Sequence, residues 1–261
     1  MDEKQLKKYF IRDIKWGWDY QGQAVFQFLV KAAECCRNGV VLDAGAGTMR
    51  YKPFFTNAIY ISQEHVAGIE KKEMGDIEYD IVQDLTTIPL KDECLDVVMS
   101  TSVIEHLRYP VKFFEEAFRV IKGGGRLFVH VPFVYNEHEA PFDFQRPTRY
   151  GLERWFVDAG FEDVKIEPGT SSTATATHFL PKAILNDVIN RKNIVSKGWL
   201  FLLIYWPTRL FCKLLKFVID KGPHGKTNFP TGWIAVGKKP GNSDAYIYRN
   251  KEEFLRLARL L

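Results

Sequence analysis

Residues 40–48, VVLDAGAGT, constrain the fold more than any other stretch of this chain. An apolar run of β-forming residues ends in Asp43 and opens into a loop with Gly45 and Gly47, the layout of a strand that hands a ligand to a turn. Glycine permits a tight turn at positive φ and removes the Cβ that would keep a ligand off the main chain. A carboxylate or phosphate is therefore expected against exposed N–H groups of this loop. The loop does not complete G-x-G-x-x-G, because Arg50 stands three residues after Gly47. The dinucleotide fingerprint fails at its third glycine, which argues against a nicotinamide or flavin enzyme. A glycine turn after a core strand is the plain alternative.

The surroundings of the loop alternate between helical and strand patterns. From residue 20 to about 37, Val25, Phe28, Leu29 and Ala32 recur at three- and four-residue spacing, which predicts an amphipathic helix. Strands are expected at 58–62 (AIYIS), 79–83 (YDIVQ), 95–100 (LDVVMS) and 126–131 (RLFVHV), the last two apolar enough to be buried on both faces of a sheet. Thr101 and Ser102 offer caps to a helix start, and residues 110–122 read as a helix stopped by the glycines at 123–125. This rhythm predicts right-handed βαβ crossovers and a doubly wound, mostly parallel α/β sheet. Ligands of such sheets lie at the carboxyl ends of the strands, where Asp43, Glu64, Asp84 and Ser100 all fall. Glu64, about 20 residues past the glycine loop, is placed to accept both hydroxyls of a ribose, or is a solvated loop acid. Asp84 with a neighbouring backbone N–H suits adenine, or simply forms a turn.

Taken together, VLDAGAGT, Glu64, QDLTTIPL, LDVVMSTSVIEHL and FFEEAFRVIKGGGRLFVHVP resemble the S-adenosylmethionine-dependent methyltransferases of the Rossmann-like class over roughly residues 38–167. The resemblance implies a seven-stranded sheet with an antiparallel hairpin at one edge. It implies S-adenosylmethionine as cofactor, with Gly45 and Gly47 holding the methionine portion, Asp43 supporting that loop, Glu64 on the ribose, and Asp84 with Leu85 framing the adenine. Ala44 and Ser100 join this cofactor set. The sequence departs from the family pattern at Met49, which stands at the loop's third glycine and is expected to add bulk beside the cofactor, and at Ser62, where a glycine is usual.

Beyond Pro132 lies a long loop, 133–149, with Tyr135, Glu137, His138, Asp143, Arg146 and Arg149. A loop of this length after a central strand is usually functional. Its H-x-x-P-F-D-F-x-R-P-T pattern resembles methyltransferases associated with bacterial surface polysaccharide and related sugar biosynthesis. Methyl transfer to a hydroxyl needs the acceptor aligned and its proton removed. His138 is the first choice as general base and His106 the second, unless His106 only closes its turn. Asp143 and Arg146 either orient His138 and grip a polar substrate or form one ion pair holding the loop. His130, inside a strand, reads as a satisfied core residue. Thr148 caps a helix that Gly160 ends, and a strand follows at 161–166.

Residues 170–177 (TSSTATAT) read as a small-residue linker into a helical insertion reaching about residue 221. Within it, 199–206 (WLFLLIYW) is uninterrupted apolar sequence, far short of a membrane span. Arg209, Lys213 and Lys216 then oppose Phe211, Leu214, Leu215 and Val218 as a basic amphipathic helix. That helix is a lid, a homodimer face, or a peripheral membrane contact through residues 199–220. Residues 222–226 turn the chain, 232–237 (GWIAVG) read as an edge strand, and Asn250 with Glu253 forms a capping box for a last helix. The domain plan is thus an N-terminal arm and helix (1–37), a cofactor-binding core (38–169), a helical insertion (170–228), and an edge strand with a C-terminal helix (229–261).

Charge sets the class of partner. Lys plus Arg number 36 against 32 Asp plus Glu, a net of +4, so nothing selects nucleic acid as partner, and 14% aromatic content suits a full core. Four cysteines without C-x-x-C give no zinc site and no other metal site is expected. The polar N-terminus lacks the apolar stretch of a signal peptide, so a cytoplasmic chain is expected. The functional expectation is a methyltransferase acting on a small polar acceptor, a hydroxyl of a sugar or related metabolite. The alternatives are an N- or C-methyltransferase of a lipophilic small molecule and a catalytically silent binding protein of the same fold.

Overall fold

The apolar runs pair into one sheet in the computed structural model, which describes residues 5–7, 22–65, 77–190, 201–219, 227–241 and 251–258. Helix α1 (Gly22–Cys35) leads into β1 (Val40–Ala44). There follow β2 (Ile59–Glu64), β3 (Ile81–Val82), β4 (Leu95–Thr101), helix α2 (Pro110–Val120), β5 (Ile121–Pro132), helix α3 (Arg149–Ala159), β6 (Glu162–Pro168), helix α4 (Ser172–Asn190), helix α5 (Trp206–Ile219), β7 (Gly232–Lys238) and helix α6 (Lys251–Ala258). The sheet order is β3-β2-β1-β4-β5-β7-β6, parallel except that β7 runs antiparallel to both β5 and β6. The chain thus has the seven-stranded, mostly parallel sheet of the Rossmann-like methyltransferase fold.

Period-two alternation decides which layer each strand residue feeds. Val41, Val97, Met99 and Phe128 point to the layer of α1, against Phe28, Leu29 and Ala32. Val40, Leu42, Val98, Leu127 and Val129 point to the other, against Phe113, Phe114 and Ala117 of α2, Phe156 of α3 and Phe254 of α6. Each large side chain so buried contributes roughly 1.5–3 kcal/mol.

Several expectations change. The strand containing 232–237 is not at the edge. It is inserted between β5 and β6, and β6 forms the edge instead. The glycines at 123–125 do not stop α2, which ends at Val120; they lie within β5, where a Cβ on Gly125 would stand 2.7 Å from the Asp96 carbonyl oxygen. Thr101 and Ser102 do not cap a helix, because β4 leads into a 3-10 turn (Ile104–His106) preceded by Val103 without a side-chain cap. Residues 172–177 are not a linker but the first turns of α4, with Thr175 and Thr177 bonding back to the carbonyls of Ser171 and Thr173. By contrast, Thr148 accepts from the Gly151 N–H at 3.1 Å and Gly160 closes α3 at φ 103°. Trp16, Trp18, Trp199, the turn at 222–226 and the proposed cap Asn250 lie outside the described residues.

In α5, Leu210, Phe211, Leu214 and Val218 are each more than half exposed, and Leu203 extends the row from the preceding turn (Phe201–Tyr205). None of the described helices is long and apolar enough to cross a membrane.

Candidate active site

The strand order reverses direction between β1 and β4, and a crevice opens at such a switch point beyond the strands' carboxyl ends. A cleft of about 760 Å³ lies there. Gly45, Ala46, Gly47 and Thr48 from the β1 loop, Gln63 and Glu64 from the end of β2, and Asp84 and Leu85 after β3 line one part of it. Thr101, Ser102, Val103 and His106 line the part after β4, and Glu139, Phe142 and Phe144 of the long loop complete it.

The glycine loop is held from within. The Gly45 N–H donates to the Gln63 carbonyl and side chain at 3.0 and 3.1 Å, the Ala46 N–H to the same carbonyl at 2.9 Å, and the Gly47 N–H to Glu64 Oε2 at 2.8 Å. These amides are therefore committed to β2 and are not the exposed anion donors that the sequence suggested. Glycine is needed at 45 because φ is +84° and a Cβ would fall 2.3 Å from a Val103 methyl. At 47 a Cβ would meet nothing within 4 Å, and Gly47 itself lines the cleft.

Asp43 is fully buried in β1 and accepts a short hydrogen bond from the Tyr60 hydroxyl, while its other oxygen has no partner. Burial pushes its carboxyl up to about 7, against the opposing effect of the Tyr60 bond; Glu64 adds a smaller upward push. Asp43 and Ala44 do not line the cleft, nor does Ser100, which is buried within β4 while its neighbours Thr101 and Ser102 line it. Glu64 accepts from Gly47 N–H with one oxygen and from His65 N–H with the other, which leaves a lone pair on each directed elsewhere. Asp84 lines the cleft and accepts from the Thr86 N–H at 2.7 Å, which makes it a turn former that faces the opening. Met49, at φ 52°, lies away from the cleft in a separate depression with Phe55 and Tyr60, so it does not crowd a cofactor.

At the other end the two candidate histidines are neighbours, with ring centroids 4.9 Å apart. His106 lines the cleft and His138 does not. His106 Nδ1 is 2.9 Å from the Phe142 carbonyl, and its Nε2 is buried without a hydrogen-bond partner. Asp143 and Arg146 form a two-pronged ion pair at 2.5 and 2.6 Å; Asp143 also accepts from the His138 N–H, and the guanidinium holds its carboxyl below the usual range. The pair ties the loop together and also meets the His138 ring, whose Nδ1 is 3.4 Å from Asp143 Oδ2 and 3.5 Å from an Arg146 nitrogen, so both alternatives stand. His130 is buried but only half satisfied: Nδ1 meets Ser102 Oγ at 3.2 Å, Nε2 has no partner, and burial depresses the imidazole to about 4.

Glu105 is the residue to which the sequence assigned no role. Its side chain is wholly buried, neither carboxylate oxygen has a hydrogen-bond partner, and burial pushes it up to about 8. A carboxylate set in the apolar run VIEHL was the available signal.

Residues 42–129 match the family model described as a methyltransferase domain. Proteins of two Mycobacterium tuberculosis strains, each named a probable S-adenosylmethionine-dependent methyltransferase, are 29% identical over 166 residues, 58% of this chain and 58% of each relative. The chain thus spans less than two thirds of the length of these curated relatives. Among solved structures, the complex containing the Haloferax volcanii Trm112 methyltransferase activator matches at 16% identity, covering 86% of this chain and 92% of that one with a TM-score of 0.55. Haemonchus contortus phosphoethanolamine N-methyltransferase 2 in complex with S-adenosyl-L-methionine matches at 15% identity, 84% and 53% coverage and a TM-score of 0.50. These two likenesses show the fold alone. Residues 42–129 resemble a methyltransferase domain, and the curated relatives' names give S-adenosylmethionine as the cofactor of those proteins. The relatives' names specify no acceptor, and the resemblance to polysaccharide-associated members gains no support from them.

Proposed function

We propose that the chain is a methyltransferase that moves the methyl group of S-adenosylmethionine to an oxygen of a small polar acceptor, a hydroxyl of a sugar or related metabolite. The observation that carries this reading is one continuous cleft with an acid-lined nucleotide end at Glu64 and Asp84 and an imidazole at the opposite end. The residues fit the cofactor: the unused lone pairs of Glu64 suit the two ribose hydroxyls, Asp84 and Leu85 frame the adenine, and the open space beside Gly47 leaves room for the methionine portion. When bound, the cofactor supplies an electrophilic methyl on a sulfonium.

The acceptor end is built for an oxygen nucleophile. His106 lines the cleft, and its unpartnered Nε2 takes the acceptor's proton in the absence of another ligand, a task the sequence gave first to His138. His138 and the Asp143–Arg146 pair hold the loop that carries Glu139, Phe142 and Phe144 to the cleft. The two phenylalanine rings, each more than two fifths exposed, offer an apolar platform for one face of a ring-shaped acceptor. Incubation with S-adenosylmethionine carrying a labelled methyl and a panel of hydroxylated sugars and metabolites tests the reading. Label transferred to an oxygen, and lost with His106→Gln, supports it; label found only on nitrogen or carbon, or on none of the panel, counts against it.

The exposed apolar row on α5 supports a second role, contact with another copy of the chain.

A further inference from the structure

We propose that Glu105, His106 and His138 form a binding site for a divalent first-row transition-metal cation at the acceptor end of the cleft. Three ligand atoms from these residues all lie within 4.8 Å of one another. Glu105 Oε1 is 3.8 Å from His106 Nε2 and 3.7 Å from His138 Nε2, and Glu139 Oε2 stands 3.6 Å from His106 Nε2. An ion with bonds of about 2.0–2.2 Å holds tetrahedral ligands roughly 3.4 Å apart, so modest tightening closes these atoms around one centre.

The proton positions favour a cation there. The Phe142 carbonyl can only accept, so His106 carries its hydrogen on Nδ1 and directs the Nε2 lone pair at Glu105. His138 Nδ1 faces the Asn136 carbonyl at 3.2 Å and Asp143 Oδ2 at 3.4 Å, two acceptors closer than the Arg146 nitrogen at 3.5 Å. This again leaves the Nε2 lone pair towards Glu105. Two imidazole lone pairs thus converge on a carboxylate that is wholly buried and has no hydrogen bond of its own. A protonated Glu105 is the one potential donor in that set, and at 3.8 and 3.7 Å from the two Nε2 atoms it reaches neither. A positive ion satisfies all three groups at once, and backbone carbonyls behind metal-bound imidazoles are the usual way of fixing the ring and its tautomer. Two imidazoles with carboxylate oxygen select zinc, manganese or iron(II) over calcium.

His106 and Glu139 both line the cleft, so positions on the ion not filled by protein open towards the acceptor. There the ion takes the acceptor's oxygen as a ligand and the acceptor's proton leaves to water in the open cleft; with the ion bound this replaces the proton transfer to His106 given above, and without it His106 Nε2 stays available for that transfer. This role rests on the methyltransferase reading above, whereas binding of the ion does not. The sequence pointed to no metal because its usual signals, clustered cysteines or an H-x-x-x-H helix, are absent. Here the ligands come from a 3-10 turn and from a loop about thirty residues downstream.

The test is calorimetric titration of the whole chain, stripped with a chelator and desalted, with manganese(II) chloride and with zinc chloride. One cation per chain is expected, with affinity at least tenfold lower in Glu105→Gln and, independently, in His138→Ala. Each variant is also titrated with S-adenosylhomocysteine, whose retained binding certifies an intact cleft. Failure of the wild-type chain to bind either cation one-to-one overturns the proposal, as does unchanged affinity in either variant with an intact cleft. Cation binding without S-adenosylhomocysteine binding removes the methyltransferase reading and leaves the site standing.

Discussion

Replacing Asp43 by Asn removes one ionisable group from directly beneath the cofactor loop, and the consequence has a computable size. Asp43 is fully buried, and its carboxyl is held up to about 7 where a free one lies near 3.8. A group whose folded pKa is raised contributes stability that is complete below the unfolded pKa and is lost as pH rises through the folded one. Between pH 5 and 7 the unfolded carboxylate is already ionised, while the folded one passes from almost wholly protonated to half protonated. Unfolding therefore releases a proton across this window, and the wild type loses roughly 2 kcal/mol that Asp43→Asn keeps. For a chain of this size that is a shift of about 4–8 °C in Tm. Glu105, held up to about 8, has the same sign, and His130, depressed to about 4, the opposite one, but both are common to the two proteins and cancel in the difference. Urea denaturation of wild type and variant at pH 5.0, 6.0 and 7.0 provides the measurement. Parallel pH dependences would refute the burial argument, because they would mean that Asp43 ionises as freely in the fold as outside it.

Other consequences follow from single contacts. Glu64→Gln removes the charge that anchors the Gly47 N–H and that is proposed to meet the ribose; S-adenosylhomocysteine affinity should fall about 10–100-fold, read by calorimetry, since hydrogen bonds to a charged group are worth about 1.5–3 kcal/mol. His106→Gln should lower kcat by roughly 10²-fold or more while leaving the cofactor's Kd unchanged, which single-turnover kinetics resolve. Thr148→Ala strips the cap of α3 and should destabilise the protein by about 1 kcal/mol in denaturant titration without moving Kd. If the α5 row joins two copies, sedimentation equilibrium should give a dimer that Leu210→Glu with Leu214→Glu converts to monomer, and flotation with anionic liposomes should recover no wild-type protein.

The parallel core was readable because a strand buried on both faces must be apolar throughout, and residues 95–100 and 126–131 satisfy that locally. The acids at 43, 64 and 84 were readable for a related reason: few carboxylates end apolar strands without a partner to meet. The position of β7 was not, since order in a sheet is fixed by pairing with β5 and β6, to which residues 232–237 carry no address. The glycines at 123–125 misled because a glycine run signals both a helix stop and a close strand approach; contact with Asp96 decides for the second. Small residues at 172–177 hid a helix whose threonines satisfy themselves on its own backbone carbonyls. Among the site residues, His106 rather than His138 lines the cleft because the loop folds back so that Phe142 and Glu139 meet His106, a long-range event with no local signature. The loop amides likewise looked free in sequence, and only the register of β1 against β2 commits them to Gln63 and Glu64.

Calorimetric titration of the chain with S-adenosylmethionine decides whether the cleft between the β1 loop and the ends of β2 and β4 is the cofactor site. One saturable site per chain is expected, weakened at least tenfold by Glu64→Gln. Absence of binding to the folded wild-type protein, or binding indifferent to Glu64, would rule that site out.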